Sequence, residues 1–144
     1  MELKLKIKKL QPNAVIPSYA TAGDAGLDLT AVSKIPTQRY IQYGTGLAME
    51  IPEGHVGLLF PRSSVSKVDL ILANCVGVVD APYRGEVMLR FKRHTNEMGE
   101  FIDYQIGEKV AQLIIIPRPL VIPEEVEELS DTQRGEGGFG HTGK

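Results

Sequence analysis

Five short stretches of this chain combine charged, amide and aromatic side chains with glycines in a way that suits a small anionic ligand. Asp28 stands in Ala25-Gly26-Leu27-Asp28-Leu29, a carboxylate beside a turn glycine. Taken alone it reads more readily as an ordinary polar residue beside a turn. Pro61-Arg62-Ser63-Ser64 sets a guanidinium and two hydroxyls at the start of a helical turn. Backbone amides, hydroxyls and a guanidinium together can grip a phosphate, although a plain turn capped by Ser63 or Ser64 would look the same. In Gly77-Val78-Val79-Asp80-Ala81-Pro82-Tyr83-Arg84-Gly85 the two valines bring Asp80 to a strand end and Ala81-Pro82 turns the chain. Gln112 is an amide embedded in the apolar run that begins at Val110. Such a group needs partners from protein or ligand. The tail from Arg134 to Lys144 carries an Arg and a lone Phe139 among five glycines. It cannot order itself in isolation, but it could close as a flap over an anion and a flat ring.

Taken together and in this order, the five stretches resemble the motifs of the trimeric dUTP pyrophosphatase (dUTPase) family, over the chain from about Ala22 to Lys144. The matching segments are Ala25 to Leu29, Pro61 to Ser64, Asn74 with Gly77 to Gly85, Ala111 to Leu113, and Arg134 to Gly143. The resemblance implies hydrolysis of dUTP to dUMP and pyrophosphate by water attack on the α-phosphorus. That reaction needs charge neutralisation, in-line placement and a base. The family pattern gives the base role to Asp80, with a further contact to the sugar 3′-hydroxyl. Arg62, Ser63, Ser64 and Gln112 would hold the phosphate chain, and Arg134 would close on the γ-phosphate. Asn74 and the backbone through Val79 would read uracil, Tyr83 would lie under the deoxyribose, and Phe139, next to Gly140, would stack on the base. Mg2+ is the implied cofactor, bridging the phosphates, with Asp28 holding its water shell. Two positions depart from the family pattern. His141 stands where Ser is frequent, and Lys109 where Arg is frequent.

The elements that must position these residues read as strands. Glu2 to Lys9 alternates apolar Leu3, Leu5 and Ile7 with lysines, and Val87, Leu89 and Phe91 alternate with Met88, Arg90 and Lys92. Period two is the mark of a half-buried strand. His55 to Phe60 and Val110 to Ile116 are more continuously apolar and read as strands covered on both faces. Turns fall at Gln11-Pro12-Asn13, Pro52-Glu53-Gly54, Asn96-Glu97-Met98-Gly99 and Ile106-Gly107-Glu108. With 15 Gly and 9 Pro, long helices have little room. The expectation is an all-β fold, a distorted jelly-roll or β-sandwich, of the β-clip kind by resemblance. Residues 1–116 form the core. In residues 117–131 three prolines isolate the apolar Leu120-Val121-Ile122, a strand to be exchanged between subunits. Residues 132–144 form the flexible arm. The resemblance adds a homotrimer with active sites at the subunit interfaces.

Composition narrows the partners. At 42% hydrophobic and 24% charged residues the 144-residue chain has the balance of one soluble globular domain. A net charge of -2 disfavours a nucleic-acid polymer. No run approaches the length of a membrane span, so a cytoplasmic protein with no membrane partner is expected. The single cysteine, Cys75, excludes an internal disulfide and reads as a small buried thiol. Two rival functions remain. One is a non-catalytic dUTP-binding regulatory module. The other is a dCTP deaminase, which by family pattern needs a Glu five residues after Gly85, where this chain has Arg90.

Overall fold

Alternating sequences become strands here where one of their faces is covered. A computed structural model describes residues 2–95 and 99–143. Asn96–Met98, the first part of an expected turn, lie outside them. Nine strands are present among the described residues: β1 Lys6–Lys9, β2 Leu27–Thr30, β3 Ser33–Pro36, β4 Ile41–Glu50, β5 His55–Phe60, β6 Leu70–Leu72, β7 Gly77–Val79, β8 Glu86–Arg93 and β9 Lys109–Pro117. They form two antiparallel sheets. One has the order β1-β4-β8-β6, with β3 also on β4; the other has the order β2-β9-β5-β7. The expected all-β sandwich is therefore the observed architecture.

The inner faces meet in one core. Val87, Leu89 and Phe91 of β8 are buried while Met88, Arg90 and Lys92 are exposed, as the alternation requires. Each such buried side chain contributes about 1.5–3 kcal/mol relative to exposure. Tyr43, Phe91 and Tyr104 pack edge to face, with ring centroids 5.7 to 6.1 Å apart. Burial, with the nearby Asp103 carboxylate second, pushes the Tyr43 hydroxyl above its ordinary pKa. It stays protonated and donates to the Tyr104 carbonyl at 2.9 Å. Thr45, the polar residue inside this core, donates to the Val87 carbonyl at 2.7 Å. Between Gly44 and Ala48 the β4–β8 register shifts. Gly46 carries φ +67 within that irregularity, a conformation costly for other residues.

Three expectations need correction. The first strand starts at Lys6: Leu5 and Ile7 pack against the core, but Leu3 is exposed and unpaired in the ladder. β5 and β9 are not covered on both faces within one chain. Leu59, Val110, Ala111 and Leu113 are buried, whereas Val56, Leu58, Phe60 and Ile114 are half-buried and Ile116 and Val78 are exposed. The registers Leu58↔Ile114, Val56↔Ile116 and Leu58↔Val78 gather these side chains on one outer apolar face. Finally, Ser63 and Ser64 do not cap the helical turn. It is a 3₁₀ turn, Ser63–Lys67, with Arg62 in the cap position and no side-chain cap bond. The chain past Pro117 forms no strand among the described residues, and Leu120, Val121 and Ile122 are 71–81% exposed.

Candidate active site

The candidate residues fall into two groups at opposite ends of the β2-β9-β5-β7 sheet. The first surrounds the crossing from β6 in one sheet to β7 in the other. A cavity of about 420 Å³ there is lined by Asn74, Gly77, Val78, Asp80 and Tyr83, with Met88 and Arg90 of β8 across from them. The Asp80 carbonyl accepts the Tyr83 N–H at 3.0 Å, closing the turn. The Asp80 carboxylate makes no hydrogen bond or ion pair with another described residue. It is an exposed acid on a rigid strand end, free to hold a water. Tyr83 folds back so that its hydroxyl donates to the Glu86 carbonyl at 2.9 Å. A Cβ at position 85 would collide with that hydroxyl, which accounts for Gly85.

The crossing from β6 to β7 departs from the expected thiol burial. Cys75 is exposed and has φ +62. The Val76 N–H donates to the Asn74 carbonyl at 2.6 Å, which makes Cys75 the centre of a tight three-residue turn. The chain leaves one ladder before joining the next, so apolar residues in this stretch gain no cover. Asn74, itself exposed, is among the residues that line the cavity.

The second group sits where β2, β9 and β5 run side by side. Asp28 lies opposite Gln112, and Gln112 opposite Phe60. Arg62 Nε donates to Asp28 Oδ1 at 2.9 Å, and Lys109 Nζ lies 3.1 Å from Asp28 Oδ2. Gln112 Nε2 donates to the Pro61 carbonyl at 3.0 Å, tying β9 to the start of the 3₁₀ turn. Gly26 is required beside them, because a Cβ there would run into the Gln112 side chain. Gly26, Asp28, Arg62 and Gln112, with Ser63 and Asp24, line a polar depression of about 240 Å³. Asp24 is exposed, and its bonds from the Thr21 hydroxyl and amide hold its carboxyl below the usual range. Ser64 is half-buried, with its Oγ 3.1 Å from the Tyr104 hydroxyl. Sequence reasoning missed this Tyr104 contact, and also Met88 and Arg90 as walls of the first cavity. No short pattern around Tyr104 in the sequence marks it out. The outward positions of β8 gave no sign that they face a cleft.

One chain does not bring the two groups together. Val79 pairs with Gly57, so Asp80 stands beside Val56, while Asp28 and Gln112 stand in the row of Phe60. Four residues of strand rise and three strand spacings separate Asp80 from Asp28, roughly 20 Å. The arm joins neither group. Phe139 is fully exposed and Arg134 Nε donates to its own Gly137 carbonyl at 2.9 Å. Gly140 and His141 line only a depression of the arm itself, with Arg134.

Comparisons with known proteins bear on both groups. Residues 12–143 match the family model described as dUTPase. A deoxyuridine 5'-triphosphate nucleotidohydrolase of Nautilia profundicola is 43% identical, covering 99% of this chain and 100% of that protein. One from Rhodococcus erythropolis is 41% identical over 98% of this chain and 87% of the relative. Among solved structures, the Staphylococcus bacteriophage 80alpha dUTPase with dUPNHPP superposes with a TM-score of 0.84 at 31% identity, covering 98% of this chain and 99% of that one. A mutant dUTPase from phage phi11 of S. aureus, described with a structural Mg(II) ion, gives 0.73 at 29% identity over 88% and 98% of the two chains.

Proposed function

The chain belongs to the dUTPase family, and on that basis we infer that it hydrolyses dUTP to dUMP and pyrophosphate, with Asp80 as the base. The observation that carries the assignment of Asp80 is its unpaired carboxylate at the rim of the cavity that Asn74 and Tyr83 also line. A base must reach its water directly and be free of competing partners. Attack on the α-phosphorus leaves pyrophosphate, and Asp80 takes the proton of the attacking water.

Selection follows from what lines the cavity. Uracil offers two acceptors and one donor, and the Asn74 amide with the backbone through Val79 can meet them in complementary order. Cytosine would leave buried polar groups unpaired, which is strongly unfavourable. The Tyr83 ring, fixed by its bond to Glu86, would lie under the deoxyribose and crowd a 2′-hydroxyl. Phe139 would cover the base once the arm closes, and Arg134, Gly140 and His141 would meet the γ-phosphate.

Arg62, Ser63, Ser64 and Gln112 would hold the phosphate chain. The Asp28 carboxylate supports this by fixing the Arg62 guanidinium, and Lys109 balances its charge. Mg2+ fits this donor set as an ion carried by the substrate. Among the described residues no cluster of three or more His, Cys, Asp or Glu could hold it. Phosphate oxygens would supply its direct ligands, and the remaining lone pairs of Asp28 would accept from its waters. Bound in that way, the ion neutralises phosphate charge.

The two groups can serve one nucleotide if they come from different subunits. A homotrimer with three interfacial sites accounts for their separation, for the outer apolar face of β5, β7 and β9, and for the uncovered Leu120, Val121 and Ile122. That last segment, between the core and the arm, would be the exchanged strand.

The deaminase reading is disfavoured by Arg90. Its Nε donates to Gln42 Oε1 at 3.0 Å and its guanidinium lies 4.4 Å over the Tyr40 ring. A permanently charged group held this way cannot shuttle protons. The decisive experiment supplies Mg2+ with dUTP, dCTP, dTTP or UTP and follows pyrophosphate and ammonia. Pyrophosphate from dUTP alone is expected. Ammonia from dCTP would favour the deaminase, and dUTP binding without turnover would favour a regulatory module. Asp80→Asn should retain dUTP binding while turnover falls by roughly 10²–10⁴-fold.

A further inference from the structure

We propose that Tyr104 is a positioning residue for the reaction: its buried hydroxyl orients Ser64 so that Ser64 presents its own O–H to the triphosphate. The proposal rests on the reading of Ser64 as a phosphate-holding group. Tyr104 lies just before β9 and is 4% exposed. Its ring is locked between Tyr43 and Phe91, and its carbonyl accepts the Tyr43 hydroxyl at 2.9 Å. The core therefore sets where the Tyr104 hydroxyl stands, 3.1 Å from Ser64 Oγ.

Ser64 needs such an anchor. Its 3₁₀ turn has no side-chain cap, and Val65 is the residue of that turn packed against the core. A serine hydroxyl has one proton and two lone pairs. When Tyr104 donates to Ser64 Oγ, the Ser64 proton is left for a phosphate oxygen, and two hydrogen bonds running in one direction strengthen each other. Tyr43 does not compete, because its proton goes to a carbonyl. Without the Tyr104 hydroxyl, Ser64 is free to turn its proton onto a backbone carbonyl of its own segment. The neighbouring Ser66 does just that, donating to the Ser63 carbonyl at 2.8 Å.

The test is a double-mutant cycle on the full chain, reading pyrophosphate release from dUTP with Mg2+. Tyr104→Phe keeps the ring and its packing. Its turnover should fall about fivefold, the rate equivalent of one net hydrogen bond, with the melting midpoint nearly unchanged. In a Ser64→Ala background the same Tyr104→Phe change should have almost no further effect. Tyr43→Phe removes the bond to the Tyr104 carbonyl but leaves the ring packing and the Tyr104 hydroxyl itself, and should cost less turnover than Tyr104→Phe. An equal loss from Tyr104→Phe in both backgrounds would overturn the proposal while leaving the role of Ser64 intact. So would a loss on Tyr43→Phe matching that on Tyr104→Phe. Wild-type turnover in Ser64→Ala would overturn the Ser64 reading and this proposal together.

Discussion

Mixing two inactive variants within one trimer should restore activity. Asp80→Asn removes the proposed base and leaves the proposed phosphate-holding group whole. Arg62→Ala does the reverse, and Asp28 keeps Lys109 as its partner. The strand registers set the two groups roughly 20 Å apart in one chain. Asp80 must lie within hydrogen-bond reach of the attacking water, so one chain cannot present both to one nucleotide. On the proposed homotrimer, random assembly from equal amounts would give sites that each draw Asp80 from one subunit and Arg62 from another. About one quarter of the sites then carry both intact residues. The assay is to unfold the variants together, refold them, and measure pyrophosphate release per subunit beside each variant treated alone. The mixture should reach about a quarter of the wild-type rate, against losses of roughly 100-fold or more for each parent. A mixture no more active than its parents would mean that Asp80 and Arg62 act from a single chain, and the separation argument would fail.

Deleting residues 134–144 should leave the melting midpoint unchanged, because Phe139 is fully exposed and Arg134 bonds only within the arm; dUTP turnover should fall by at least about 100-fold, as closure and the γ-phosphate contact are lost. Tyr83→Ala should raise UTP hydrolysis relative to dUTP, measured as the ratio of kcat/KM values, by roughly 10-fold or more as the floor under the sugar is removed. Phe91→Ala, at a position with no exposure in the aromatic cluster, should cost about 3–5 kcal/mol in denaturant unfolding. Tyr43 holds its proton more tightly folded than unfolded, so its contribution is complete below its ordinary pKa of 10.0 and is lost as pH rises beyond it; the stability gap between wild type and Tyr43→Phe should narrow above that pH.

The candidate site was legible as a set and not residue by residue. A carboxylate at a strand end before Ala-Pro, an Arg-Ser-Ser turn and a Tyr before Arg-Gly are each ordinary alone, and their order along the chain is what marks the family. Strand positions were legible wherever burial alternates strictly, as in β8. Reading failed where cover comes from elsewhere. Cys75 sits in an apolar run yet is exposed, because the chain there crosses between sheets. β5 and β9 look fully apolar in sequence, yet one face of each is left uncovered within the chain. Ser63 and Ser64 resemble caps, but Ser64 is turned to a tyrosine forty residues on.

By itself the order of residues determined the family likeness and, where apolar positions alternate strictly, which segments are strands, since turn chemistry and period two act between near neighbours. Only the tertiary structure decided where the candidate residues stand. Asp28 lies opposite Gln112, and Asp80 stands at the other end of the sheet, because antiparallel pairing joins strands distant in the chain and sets each register by the fit of the shared core. No local pattern encodes that distance, and on that distance rests the inference that the active site belongs to more than one subunit.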